Sequence, residues 1–179
     1  MKQTIIDILN KISTDVPEIQ YVRVFNNQFQ YLEDQTIEAF PFPCAFVEVI
    51  PQSYVQLGAG YQQSDIDIKI HIGHVEYDAN NGNMEENLSI FDIRNLVVKE
   101  LNLFKPYMCA EMFKVSEEQD YTHTDVYHYV ITYRTGLIDD TGSTLINPTL
   151  VEPLQIEVDV ALNDNLDREN PDRHEIIIL

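Results

Sequence analysis

The stretch from Ser64 to Glu76, SDIDIKIHIGHVE, constrains the fold more than any other part of the chain. Ile66, Ile68, Ile70 and Ile72 alternate strictly with Asp65, Asp67, Lys69 and His71, so successive side chains point to opposite faces and one face is all isoleucine. The pattern predicts a half-buried strand. Slipping its pairing by one residue would turn all four isoleucines into water, so the segment sets the register of a sheet whose other face is solvated or meets another subunit.

The segments around it complete an α+β pattern. Ile5, Ile8, Leu9 and Ile12 fall on one side of a helix over Lys2 to Ser13, stopped by Thr14, Asp15 and Pro17. Gln20 to Phe25 alternates as a strand, Asn26-Asn27 is a turn, and Gln28 to Leu32 reads as a short return strand. Pro41-Phe42-Pro43 straightens the backbone ahead of Cys44 to Ile50, which is apolar on both faces apart from Glu48 and therefore central in a sheet. Pro51 to Gln63, with Gly58-Ala59-Gly60, reads either as a loop or as two strand ends reaching beyond the sheet around a hairpin tip.

Asp78 to Asn83 breaks the strand, and Asn83 with Glu86 resembles a capping box. A long helix should follow, with Ile90, Ile93, Val97, Leu101 and Phe104 on one stripe, Asp92, Asn95, Lys99 and Asn102 opposite, and Pro106 at its end. Met108 to Val115 reads as a strand and Ser116 to Tyr121 as a polar connection. Thr124 to Leu137 alternates with both faces occupied. The expected architecture is an antiparallel or mixed sheet of four to five strands, with the N-terminal helix and the long amphipathic helix on one face.

Composition narrows the function. The net charge of -19, from 11 Lys+Arg against 30 Asp+Glu, excludes a protein that wraps nucleic acid, because binding phosphates needs clustered cations. Residues 1–138 read as one core domain. From Asp139 to Leu179 there are ten acidic residues and only Arg168 and Arg173, so residues 139–179 read as an acidic extension with one strand at 154–162 and a mobile or partner-ordered tail. That tail ends in Ile176-Ile177-Ile178-Leu179, which must dock on its own domain or on a neighbour, or be left as an aggregation hazard. Cys44 and Cys109 lie among apolar residues without a CxxC, as reduced packed cysteines do. MKQTIIDILNK lacks an apolar signal core and no run spans a bilayer, which predicts a soluble protein made in the cytoplasm and no membrane partner.

Two clusters carry groups capable of chemistry. His71 and His74 with Glu76 and Asp78 have metal-ligating types, yet histidines three residues apart on a strand face opposite sides, so chelation would need a bulge at Gly73. They read as ordinary strand-end histidines. Asp120, His123, Asp125 and His128 could pass protons, but nothing beside them supplies a nucleophile, and the reading is a polar lead-in to a strand with His128 packed or at a subunit contact. No phosphate-binding, nucleophile-elbow or HExxH motif occurs. No catalytic residue, metal or cofactor is expected.

The order of elements resembles the tail terminator and head-tail joining proteins of tailed bacteriophages. The resemblance lies in FPFPCAFVEV (Phe40 to Val49), DIDIKIHI (Asp65 to Ile72), the helix around Ile90 to Leu103, and the closing strands up to Tyr133-Arg134-Thr135. It implies a structural virion protein made in the host cytoplasm that forms a sixfold or twelvefold ring at the head-tail junction. Its partners would be copies of itself, the tail tube and the neighbouring connector proteins, with DNA passing through an acid-lined lumen that does not hold it. The expected contact residues are Tyr54, Gln56 and Tyr61 on the arm, Leu154, Ile156 and Val158 on the extension strand, and Ile176, Ile177 and Ile178 at the end. Two other classes remain open: a small acidic adaptor that recruits a basic partner, and a metal-dependent or hydrolytic enzyme built on Asp120, His123, Asp125 and His128.

Overall fold

A computed structural model describes residues 1–33, 39–75, 88–122 and 126–143. The expectations that fall on Asn83, Glu86 and the extension 154–162 lie outside them. Helix α1 (Lys2–Asp15) leads to β1 (Tyr21–Val24) and a short α2 (Gln28–Glu33). Strands β2 (Cys44–Gly58) and β3 (Tyr61–His74) then form a long hairpin. Helix α3 (Ser89–Leu101) precedes β4 (Phe113–Asp120) and β5 (Tyr127–Asp139). The five strands form one mixed sheet in the order β1-β2-β3-β5-β4, with β1 parallel to β2 and every other pair antiparallel.

The isoleucine face of β3 is the centre of the molecule. Ile66, Ile68, Ile70 and Ile72 are fully buried in one cluster with Ile8, Ile12 and Val16 from the α1 end and with Ile90, Ile93, Val97 and Leu101 from α3. Both long helices therefore cover the same face, as their apolar stripes require. On α1 the buried stripe runs Thr4, Ile8, Ile12, and Ile5 and Leu9 sit at its flank. Lys11 ties the two helices together by donating to Glu100 at 2.9 Å. Ile131, Tyr133 and Leu137 extend the core from β5.

Three segments differ from the sequence expectation. Gln28 to Leu32 is helical. Asn27 adopts φ 55° and turns the chain, Gln28 Nε2 donates back to Val24 O at 2.7 Å, and the one-turn spacing sets Phe29 and Leu32 against a second apolar cluster on the opposite face of the sheet. Local alternation over five residues cannot distinguish that from a strand. The expected strand at Met108 to Val115 with a polar connection behind it is displaced, because β4 runs through Asp120. An edge strand is held by its backbone ladder and needs no apolar face, so Ser116 to Asp120 stays polar and still pairs with Thr132 to His128. Helix α3 stops at Leu101 rather than near Pro106, and Phe104 packs at the edge of the core beyond it.

Pro51 to Gln63 forms two strand ends around a tight tip. Ala59 and Gly60 both have positive φ, 49° and 83°, the geometry of a two-residue hairpin turn that follows the strand twist. Gly60 also lies against the backbone of Gly142, where an added Cβ would come within 1.9 Å of its carbonyl oxygen. Gly60→Ala is therefore expected to cost about 1–3 kcal/mol in a denaturation experiment. Gly58→Ala, with φ 108° but open space around the new methyl, should cost less.

Candidate functional site

Among the described residues, the face of the sheet away from α1 and α3 is covered at one end by a second apolar cluster, and that end holds the chemistry. Phe29 and Leu32 of α2, with Phe25, Phe40, Phe42 and Phe46, close over Cys44 and Gly73 there. Phe29 meets the Phe46 ring edge-on at 5.2 Å, and Phe25 stacks flat on the His71 imidazole at 3.8 Å. Gly73 leaves the room for this, since a Cβ at that position would lie 2.5 Å from the Phe29 ring and 2.7 Å from Cys44 Sγ.

Under this cover four side chains from four adjacent strands meet in a row. Gly73 pairs with His128 across β3 and β5, His128 pairs with Asp120 across β5 and β4, and His71 pairs with Phe46 two residues from Glu48 on β2. All four side chains therefore lie on one face. Glu48 Oε2 is 3.2 Å from His71 Nε2, His71 Nδ1 is 3.0 Å from His128 Nε2, and His128 Nδ1 is 3.1 Å from Asp120 Oδ2. The imidazoles are 6% and 2% exposed. Burial pushes the His71 pKa down from 6.5 to about 4; Lys69 on the same strand adds to the shift and Asp120 opposes it. Beside the row lies a cleft of about 790 Å³ bordered by Phe25, Gln30, Lys69, Glu118 and Tyr121.

Of the four residues weighed for acid-base chemistry, Asp120 and His128 come together, and His123 and Asp125 lie outside the described residues. His71 and His74 face opposite sides, as strand geometry predicts: His71 joins the row and His74 Nε2 lies 3.2 Å from Ser89 Oγ at the start of α3. The ladder from β3 to β5 runs through Gly73 without a bulge, and Glu76 and Asp78 lie outside the described residues. Among the described residues no group of three or more His, Cys, Asp or Glu is placed to hold a metal ion. Cys44 is buried, with its thiol pushed up to about 12 by burial, and donates to Gly73 O at 3.8 Å. Cys109 is buried too. The sequence reading missed His71 as a partner of His128 and Glu48 as a partner of His71. The available signal was that His71 occupies the polar face of one alternating strand and His128 a position on another, but the register between those strands is not written locally.

A second feature lies at the other end of the hairpin. β1 pairs with β2 only from Cys44 to Val47, and no described strand lies against the outer edge of β2 from Glu48 to Gly58. Tyr54 and Gln56 lie on this open strand opposite Ser64 and Gln62, and Tyr61 starts the return strand. Val55 and Leu57 beside them are 61% and 53% exposed. From Val49 to Ser64 no residue is charged, in a chain whose net charge is -19. Natural edges are normally guarded by charge, as β4 is here with Lys114, Glu117 and Glu118. Leu154, Ile156, Val158, Ile176, Ile177 and Ile178 lie outside the described residues. No described helix is long and apolar enough to cross a membrane. The chain matches no protein-family model and no curated protein.

Proposed function

We propose that this chain is a structural subunit of a tailed bacteriophage that assembles head to tail into a ring at the head-tail junction, as a tail terminator or neck protein. The observation that carries the reading is the arm formed by β2 and β3. Among the described residues it offers a strand edge with no neighbouring strand, exposed apolar side chains and no charged residue, in a chain whose net charge is -19. A neighbouring copy can add a strand to that edge, and heterologous contacts of this kind close into rings when the rotation closes. The acidic balance suits a lumen through which DNA slides without sticking, since phosphate contacts are what retain DNA.

Light scattering on the full chain tests the proposal. The expected result is a particle of six or more subunits, reduced to a monomer by Val55→Lys with Leu57→Lys while the circular dichroism spectrum stays unchanged. A monomer at every salt and protein concentration, or a ring indifferent to the double substitution, would overturn it. The first outcome would favour the acidic adaptor instead.

A further inference from the structure

We propose that the strand which a neighbouring copy lays against the outer edge of β2 is residues 154–162 of that copy, with Leu154, Ile156, Val158, Val160 and Leu162 on the side of Val55. The inference rests on the ring reading above and names the segment that makes its contact.

Length and place fit. No described strand lies against β2 from Glu48 to Gly58, and β2 is exposed from Pro51 onward. The nine residues LQIEVDVAL, fully extended, cover roughly 30 Å, close to the length of that edge. The described chain leaves the fold at the tip of the same arm. Asp139 pairs with Gln62, Ser143 N donates to Asp140 O at 2.8 Å and turns the chain, and Gly142 lies against the backbone of Gly60. Residues 144–153 then reach at most about 33–36 Å. The extension thus starts at the end of the arm, where a neighbour makes contact, with chain enough to lie along that neighbour's edge.

Charge selects this edge. From Asp139 onward the chain carries ten acidic residues, so a surface that takes up part of it must itself be free of carboxylates. From Val49 to Ser64 no residue is charged. The strand at the other end of the sheet, β4, exposes Glu117 and Glu118 and would repel the same segment. Within residues 154–162 the two acids, Glu157 and Asp159, alternate with the apolar positions, so one side of the extended segment is wholly apolar. The arm has two distinct sides as well. Tyr54 pairs with Ser64, on the isoleucine face of β3, while Val55 pairs with Gln63, which pairs in turn with Ile138 on the other face. Val55 is 61% exposed, and the apolar side of the added strand continues its row. Glu157 and Asp159 then fall beside Tyr54 and Gln56, which are exposed and uncharged. Backbone hydrogen bonds provide the grip and alternate side chains the selectivity. Each copy gives one strand and receives another, so the contact is heterologous and repeats around a closed ring.

Light scattering on the full chain with Ile156→Lys and Val158→Lys, beside the wild type and the pair Val55→Lys with Leu57→Lys, tests the inference. The expected result is a wild-type assembly that either pair of substitutions reduces to a monomer with an unchanged circular dichroism spectrum. An assembly lost with the arm pair but kept with the extension pair would overturn the inference and leave the ring reading standing. A wild-type monomer at every salt and protein concentration would overturn both. Cross-linking then reads the side and the source of the strand. Val55→Cys is combined in turn with Ile156→Cys, Glu157→Cys, Val158→Cys, Asp159→Cys and Val160→Cys under mild oxidation, with the native Cys44 and Cys109 buried. Because a disulfide needs Cβ atoms about 3.5–4.5 Å apart, bonds between chains should form at Ile156, Val158 or Val160 and not at Glu157 or Asp159. Bonds closed within one chain, equal yields on the two sides, or none at any position would each overturn the inference.

Discussion

Phe29→Ala is expected to lower the free energy of unfolding by about 3–5 kcal/mol, the range for deleting a fully buried phenylalanine ring. The ring is completely buried, meets Phe46 edge-on and lies over Gly73 and His128. It is also the principal anchor of α2, a helix of six residues, far too short to persist without tertiary contacts. Loss of the ring therefore opens a cavity and releases the helix that would have to collapse into it. Urea denaturation measures the cost, and amide exchange across 28–33 shows whether the helix detaches. A loss below about 1 kcal/mol would mean that α2 does not depend on this contact.

A companion experiment isolates the fit between Phe29 and Gly73. Gly73→Ala alone overpacks the site and should cost about 1–3 kcal/mol. Combined with Phe29→Ala it should cost distinctly less than the sum, because the atoms that its methyl would strike are gone. Strict additivity would show that Cys44 Sγ, 2.7 Å from the same methyl position, supplies the resistance.

The second large effect is loss of stability in mild acid. Burial holds His71 neutral in the folded chain until about pH 4, whereas the unfolded chain binds that proton near 6.5. Between those values the unfolded state carries more protons, so stability falls as the pH drops and its full value is present above about 6.5. The shift corresponds to roughly 3 kcal/mol at pH 4 relative to neutral. Urea midpoints measured from pH 7 to pH 4 should fall steeply in the wild-type chain and much less in His71→Gln. Parallel curves for the two proteins would remove His71 as the cause. In Phe29→Ala, where water reaches the rings, the acid dependence should also flatten.

Much of the main core was legible because it follows from periodicity within single segments. The four isoleucines of β3, the stripe of Ile90, Ile93, Val97 and Leu101, and the doubly occupied β5 needed only the residues themselves. The arm was legible as one of two readings, and the backbone ladder from Tyr54 to Gly58 decided for paired strands. The helical α2 and the polar β4 were not legible. Each depends on what lies beside it: an uncovered patch of sheet for α2, a backbone ladder for β4.

The candidate site divides along the same line. The amino-acid sequence by itself determined which residues alternate, which helix faces are apolar, that His71 and His74 point apart, and that the chain is strongly acidic, because these depend only on residue identity and on the periods of 2 and 3.6. Only the tertiary structure decided that Glu48, His71, His128 and Asp120 share a row, and that β2 outruns β1 along an edge where no other described strand lies. Strand order and register are set by long-range pairing and by how the covered end of the sheet fills its space. Contacts between residues 57 positions apart, as His71 and His128 are, have no local signature in a single sequence.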